Sequence, residues 1–204
     1  MITTKEDVYL KLVSLTKEGI FRVIDIEVTL MCNYSCPNCL KLCGMKDITG
    51  LDYRKSFISL VQIHKFIDDV KEVYHNTHKK VIWLIFLTGG EPLLHPNISE
   101  IFFIIKKELC DTGICNGVFI NSNLIKEIPD ALEPYIVNFT PIHMKPTMHQ
   151  AIFYHPIDSG QNPPTYNTCM HYRKGTIVYN YQGYNVCCAA DGYIRLFNLT
   201  ELII

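Results

Sequence analysis

Apolar residues along the chain switch between helical and strand spacings. Over residues 4–17, Val8, Leu12, Val13 and Leu15 form a helical stripe. Thr4 stands where a helix is capped and Gly19 where one ends. Residues 21–30 change register: Val23, Ile24, Ile26 and Val28 are β-branched and predict a strand. Residues 57–74 carry the strongest helical periodicity, through Phe57, Leu60, Val61, Ile63, Ile67, Val70 and Tyr74. Residues 81–87 are a near-continuous apolar run, the signature of a strand buried on both faces of a parallel sheet. Asn97 is placed to cap the next helix, with Glu100 at the reciprocal position and Ile98, Ile101, Phe102 and Ile105 facing inward. A strand over 117–121, a helical turn over 127–132 and a strand over 135–140 complete this part of the pattern.

Alternation of strand and helix predicts an α/β fold, with a parallel sheet or a partial (βα) barrel. In such folds, chemistry gathers where loops leave the C-terminal ends of the strands. Here those loops are a cysteine-rich segment after the first strand, Gly89-Gly90-Glu91-Pro92 after the second and Asn121-Ser122-Asn123 after the third. Past residue 141 the pattern weakens, and residues 159–164 read as a linker. Residues 175–178 and 184–187 predict a hairpin around Gly183, with a further strand over 193–197. The expected organisation is a core over residues 1–160 and a small cysteine-containing extension over 161–204.

Composition narrows the class. With 204 residues, 48% of them hydrophobic, the chain has enough apolar material for one buried core and a small appendage. A formal net charge of -1 gives no basis for a nucleic-acid or anionic-membrane partner. The apolar run at 81–87 falls far short of the roughly 20 residues that span a bilayer. Lys5, Glu6 and Asp7 interrupt the N-terminus where a secretory signal would be continuously apolar. The expected location is the cytoplasm.

Nine cysteines then carry the chemistry: Cys32, Cys36, Cys39, Cys43, Cys110, Cys115, Cys169, Cys187 and Cys188. An odd count with four crowded into residues 32–43 fits metal or redox ligation better than a disulfide framework. Cys32, Cys36 and Cys39 form a C-x3-C-x2-C triplet that can converge on one soft metal centre. Three thiolates on a four-iron cluster leave one iron open for a ligand. The same triplet with Cys43 as fourth ligand would make a closed structural zinc site. Gly89-Gly90-Glu91-Pro92 is open to two readings as well. It can be an ordinary strand-to-helix turn. It can equally be a ligand-binding edge, where glycines let the backbone approach closely and a carboxylate accepts from an ammonium group.

Taken together and in this order, Cys32/Cys36/Cys39, the phrase Thr88-Gly-Gly-Glu-Pro-Leu-Leu-His-Pro96 and the loop Asn121-Ser122-Asn123 resemble the radical S-adenosylmethionine (SAM) superfamily. The resemblance covers residues 23–123 most strongly. It implies a partial parallel (βα) barrel, in abbreviated form, with Cys32, Cys36 and Cys39 holding a [4Fe-4S] cluster. It further implies that SAM chelates the open iron, that Gly89, Gly90, Glu91 and Pro92 meet its amino group, and that Asn121, Ser122 and Asn123 lie near its ribose. Asn38 occupies the position where the family carries an aromatic or bulky apolar residue against adenine; an amide there offers a hydrogen bond instead. The implied activity is reductive cleavage of SAM to a 5′-deoxyadenosyl radical that abstracts a substrate hydrogen. A low-potential electron donor of flavodoxin or ferredoxin type is the implied partner, and a peptide, protein or small natural-product precursor the implied substrate. A glycyl-radical-enzyme activating protein is the enzymatic alternative, and a zinc- or iron–sulfur-stabilised binding protein without catalysis the other.

Cys169, Cys187 and Cys188, followed by Leu196-Phe197-Asn198-Leu199, resemble the opening half of a SPASM or twitch extension. That resemblance implies at most one auxiliary iron–sulfur cluster, held by these three with Cys110 or Cys115 as a further source. The alternative is a hairpin with buried thiols acting as a lid over the barrel mouth. The histidines form no metal-binding pair: His64 is expected at a polar boundary, His95 in a structural role, and His143, His149 and His155 in loops.

Overall fold

The computed structural model describes residues 23–33, 43, 56–80, 82–123, 127–137, 177–180 and 183–185. The expected helix over 4–17 and strand over 193–197 lie outside them, as do Cys36, Asn38, Cys39, Cys169, Cys187 and Cys188.

Among the described residues six strands form one mixed, mostly parallel sheet. β1 is Val23–Thr29, β2 Leu84–Gly89, β3 Gly117–Asn121, β4 Ile136–Val137, β5 Ile177–Asn180 and β6 Gly183–Asn185. Their order across the sheet is β4-β3-β2-β1-β5-β6. All neighbours run parallel except β5 and β6, which pair antiparallel. Helix α1, Leu60–Thr77, connects β1 to β2, and α2, Ile98–Ile105, connects β2 to β3.

Both helices lie on the same face. Ile63, Phe66, Ile67 and Val70 of α1 join Ile98, Ile101, Phe102 and Ile105 of α2 in one cluster with Ile24, Ile26 and Val28 of β1, Ile85 and Leu87 of β2, and Val118 and Ile120 of β3. That placement follows from topology. Right-handed crossovers between strands added in one direction put every connecting helix on one side. The other face carries a second, smaller cluster of Val23, Leu84, Phe86, Phe119 and Val137. β2, apolar on both faces, is therefore the near-continuous run its sequence predicts.

Local signals fix the boundaries. α1 starts at Leu60, later than the expected residue 57, because Ser59 and Gln62 form a reciprocal capping box. Phe57 instead makes an antiparallel bridge with Thr29. Asn97 does hold the cap position of α2, but its side chain makes no capping bond; its backbone N–H donates to His95 Nδ1 at 3.0 Å. The last turn of α2 widens into a π-turn over Lys106–Cys110. The helical turn expected over 127–132 lies further on, at Glu133–Tyr135, where Pro134 occupies its first turn.

The C-terminal hairpin is present but shifted: its first strand lies two residues later than expected and Gly183, expected in the turn, opens β6 opposite Asn180; it lies alongside the core, where a lid over one end was the alternative. Ile24, Asp25 and Ile26 of β1 pair with Ile177, Val178 and Tyr179 of β5. Tyr179 packs on Phe66 with ring centroids 5.2 Å apart and donates its hydroxyl to the Gln62 carbonyl at 3.0 Å. Tyr184 donates to Asp69 Oδ2 at 3.0 Å, and burial, with that carboxylate beside it, raises the phenol's pKa. β5 and β6, both within the expected extension 161–204, thus share the core's sheet and dock on α1.

Candidate cofactor site at the C-terminal edge of the sheet

β1, β2 and β3 all end at the same edge, and the three polar loops leave from it. At the end of β1 the chain departs and returns at one point. Ile58 N–H donates to the Val28 carbonyl at 2.9 Å, Leu30 N–H to the Ser56 carbonyl at 3.3 Å, and Thr29 Oγ1 to the Ser56 carbonyl at 3.0 Å. The stems of the cysteine segment are thereby pinned together. Cys32 lies just beyond, half-buried, while Cys43 is buried. Cys36 and Cys39, four and seven positions after Cys32, lie outside the described residues.

The Gly-Gly turn fits against this stem. Gly90 N–H donates to the Thr29 carbonyl and Glu91 N–H to the Met31 carbonyl, each at 2.8 Å. Gly89 has φ +133°, and a Cβ there would sit 2.0 Å from the Thr29 carbonyl oxygen. A Cβ on Gly90 would stand 2.2 Å from the Met31 oxygen and 3.0 Å from Cys32 Cβ. Both positions require glycine, because backbone occupies the space a side chain would take. The first cysteine of the triplet is therefore in contact with the Gly-Gly-Glu-Pro turn.

Glu91 is fully buried. Its Oε1 accepts from Leu93 N–H at 3.0 Å and Ser122 Oγ at 2.8 Å; its Oε2 accepts from Asn123 N–H at 2.9 Å. It caps the short 3-10 turn Pro92–Leu94 and ties the loop after β2 to the loop after β3. Ser122 is buried with it, and Ser122 N–H donates to the Val137 carbonyl at 3.0 Å. His95 supports the turn from behind. Its Nδ1 accepts from Asn97 N–H, so Nε2 carries the proton and donates to the Ile58 carbonyl at 3.0 Å. Burial, partly offset by that bond, lowers its pKa.

A polar row on the face opposite the two described helices was not singled out from the sequence. Glu27 pairs in register with Thr88. Asn180 Nδ2 donates to Glu27 Oε2 at 3.4 Å. Asn121 follows Ile120, the partner of Leu87. Four strands thus contribute Asn180, Glu27, Thr88 and Asn121 at one level near the C-terminal edge. Glu27, Thr88 and Asn180 are all buried. Thr88 Oγ1 and Asn123 Oδ1 have no hydrogen-bond partner among the described residues. The available signal was the alternation of Asp25 and Glu27 with Ile24, Ile26 and Val28: an acidic stripe inside a strand that its neighbours bury.

The sequence-predicted residues are thus brought together where the structure describes them. Cys32, Gly89, Gly90, Glu91, Pro92, Ser122 and Asn123 share one edge, with Asn121 at the end of β3. Their character fits a cluster and a polar ligand: one soft thiol and two buried polar atoms without hydrogen-bond partners among the described residues. Among the described residues no group of three or more His, Cys, Asp or Glu side chains is arranged to hold a metal ion; two of the three expected thiols lie outside them. Nor is any described helix long and apolar enough to cross a membrane. Compared with known protein families, the chain matches no family model, and comparison with curated proteins gives no match.

Proposed function

We propose that this chain is a radical SAM protein whose cluster is held by Cys32, Cys36 and Cys39. One observation carries the reading: Cys32 lies against Gly90, and the turn containing Gly90 is tied through Glu91 to the loop after β3. The three motifs of the resemblance are separated by up to 91 positions in the chain, since Cys32 and Asn123 bound them. Their contact in space is an expectation of the function.

The fold reading joins it. A partial barrel is the fold of this reading: strands β1 to β4 are added in sequence with the two described helices packed on one face, as the staves of a barrel wall would be, while β5 joins on the other side of β1. The face opposite those two helices would then be the barrel interior, lined by the row Asn180–Glu27–Thr88–Asn121.

A [4Fe-4S] cluster with SAM supplies one-electron cleavage of a carbon–sulfur bond and hence a carbon-centred radical. The residues of this chain hold and shield. Gly89 and Gly90 let the stem after β1 pack against the turn, Glu91 fixes the two loops, and Thr88, Asn123 and Asn121 offer hydrogen-bonding groups to a ligand. A low-potential electron donor of flavodoxin or ferredoxin type and a peptide, protein or small-molecule substrate belong to this reading, as does a cytoplasmic setting. The test is SAM turnover by the anaerobically reconstituted, dithionite-reduced protein. 5′-Deoxyadenosine should form, and Cys32→Ala should abolish it. Absence of 5′-deoxyadenosine from a protein that carries its iron and sulfide would refute the proposal.

A further inference from the structure

The resemblance assigns the amino group of SAM to the turn that holds Glu91, yet the structure has this carboxylate otherwise engaged. Glu91 is fully buried and accepts from Leu93 N–H, Ser122 Oγ and Asn123 N–H, donors of its own turn and of the loop after β3. A ligand that drew the carboxylate away would leave two backbone N–H groups without their acceptor, at a cost a new hydrogen bond does not recover. An ammonium group arriving at this edge needs acceptors from elsewhere.

Such acceptors stand one residue before the turn, on the face opposite the two described helices. Thr88 precedes Gly89 and shares that face with Leu84 and Phe86, at two-residue steps along β2. Thr88 is buried, and its Oγ1 has no hydrogen-bond partner among the described residues. A buried hydroxyl in that state calls for a partner that the surrounding protein does not supply. Glu27, also buried, lies beside it: the two are paired in register on neighbouring strands, about 4.8 Å apart. Asn180 flanks Glu27 on its other side. Its Nδ2 donates to Glu27 Oε2 at 3.4 Å, and its Oδ1 accepts from Gly183 N–H at 3.3 Å, so the hairpin orients the amide that orients the carboxylate. Asp25, the other acid of this face, pairs with Phe86, one row deeper, where the Phe86 and Phe119 rings lie 6.1 Å apart. Glu27 alone of the two is level with Thr88.

We propose that Glu27 and Thr88, rather than Glu91, receive the α-ammonium group of SAM. The Glu27 carboxylate and Thr88 Oγ1 accept from it, Asn180 positions Glu27, and Glu91 holds the loops. The assignment rests on the radical SAM reading of this edge and changes which of its residues recognise the ligand. Burial makes the pairing selective, since a charge-assisted hydrogen bond is stronger away from water.

The test compares two ligands on the reconstituted full chain: SAM, and its deamino analogue, in which hydrogen replaces the α-amino group. Equilibrium competition against radiolabelled SAM gives the ratio of the analogue's dissociation constant to that of SAM, without turnover. Glu27→Gln keeps the size of the side chain and an acceptor for Asn180 but removes the charge. It should bind SAM more weakly and shrink the ratio about tenfold or more. Thr88→Val should shrink it about two- to tenfold. Glu91→Gln should weaken both ligands alike and leave the ratio at its wild-type value. A Glu27→Gln variant that is folded by circular dichroism and keeps the wild-type ratio would overturn the proposal, as would a ratio that collapses in Glu91→Gln alone. Should Glu27→Gln not fold, Thr88→Val decides, because it removes no hydrogen bond of the described structure; the wild-type ratio there would overturn the proposal equally. Wild-type protein that carries its iron and sulfide but binds no SAM would refute the function itself, whereas SAM binding with unmoved ratios would refute only this assignment.

Discussion

Glu91 gives the sharpest quantitative test of the site's construction. Its carboxylate is fully buried and accepts from Leu93 N–H, Ser122 Oγ and Asn123 N–H. A hydrogen bond to a charged acceptor contributes about 1.5–3 kcal/mol, and a buried donor left without a partner costs about 1–3 kcal/mol. The Ser122 hydroxyl can rotate away, but the two backbone N–H groups cannot. Glu91→Ala should therefore cost about 3–5 kcal/mol, a large share of the roughly 5–15 kcal/mol that holds a domain folded. Glu91→Gln separates the contributions. Its amide oxygen still serves Leu93 and Ser122, while its NH2 group faces the Asn123 N–H, donor against donor, for a cost of about 1–3 kcal/mol. Urea unfolding of the cofactor-free protein, followed by fluorescence of its one tryptophan, Trp83, measures both. The expected order is wild type, then Gln, then Ala. An alanine variant within about 1 kcal/mol of wild type would refute the claim that Glu91 holds the two loops together.

Three further outcomes follow from the same edge. Thr88→Val replaces a buried, unpartnered hydroxyl with a methyl group of like shape, so the cofactor-free protein should gain about 1–3 kcal/mol in the same urea assay, while SAM turnover falls; a variant less stable than wild type would show that the hydroxyl already has a structural partner. Gly89→Ala should cost about 1–3 kcal/mol for the φ of +133° alone, and more for the clash with the Thr29 oxygen, as read by thermal unfolding; wild-type stability would contradict the close packing of β1 on the turn. His95 is buried neutral with its pKa lowered from 6.5, so its contribution is complete above about pH 6.5 and is lost as pH falls from there through its folded-state value. His95→Asn should be less stable near neutrality and show a flatter loss of stability as pH falls below about 6.5; parallel pH profiles would show that His95 is not the titrating group.

Much of the central sheet was legible in the residues. β3 falls on the expected residues 117–121, and β1 and β2 lie within two or three residues of the expected strands. Shifts at the boundaries came from contacts that periodicity does not encode. Phe57 belongs to the apolar stripe but is taken by a bridge to Thr29, so the helix waits for the Ser59 cap. The pairing of β5 beside β1, across a sequence separation of about 150 residues, is a tertiary choice; Tyr179 and Tyr184 make it by packing on Phe66 of α1. At the site, glycine spacing announced a close backbone approach, and the structure identifies what approaches, the Thr29 and Met31 carbonyls. The Glu27–Asn180 contact could not be read in advance, because its two partners lie on strands whose neighbourhood no local signal fixes.

The central claim is that Cys32, Cys36 and Cys39 hold an iron–sulfur cluster at the edge shared with the Gly-Gly-Glu-Pro turn. Iron, sulfide and zinc measured together on anaerobically reconstituted protein test it most directly. Wild type and Cys43→Ala should each carry about four irons with matching sulfide, while the triple Cys32/Cys36/Cys39→Ala variant carries close to none. About four irons surviving in the triple variant would show a second cluster on the remaining cysteines. Stoichiometric zinc without iron, lost equally on substitution of Cys43 and of the three, would contradict the account and make the site a structural zinc centre.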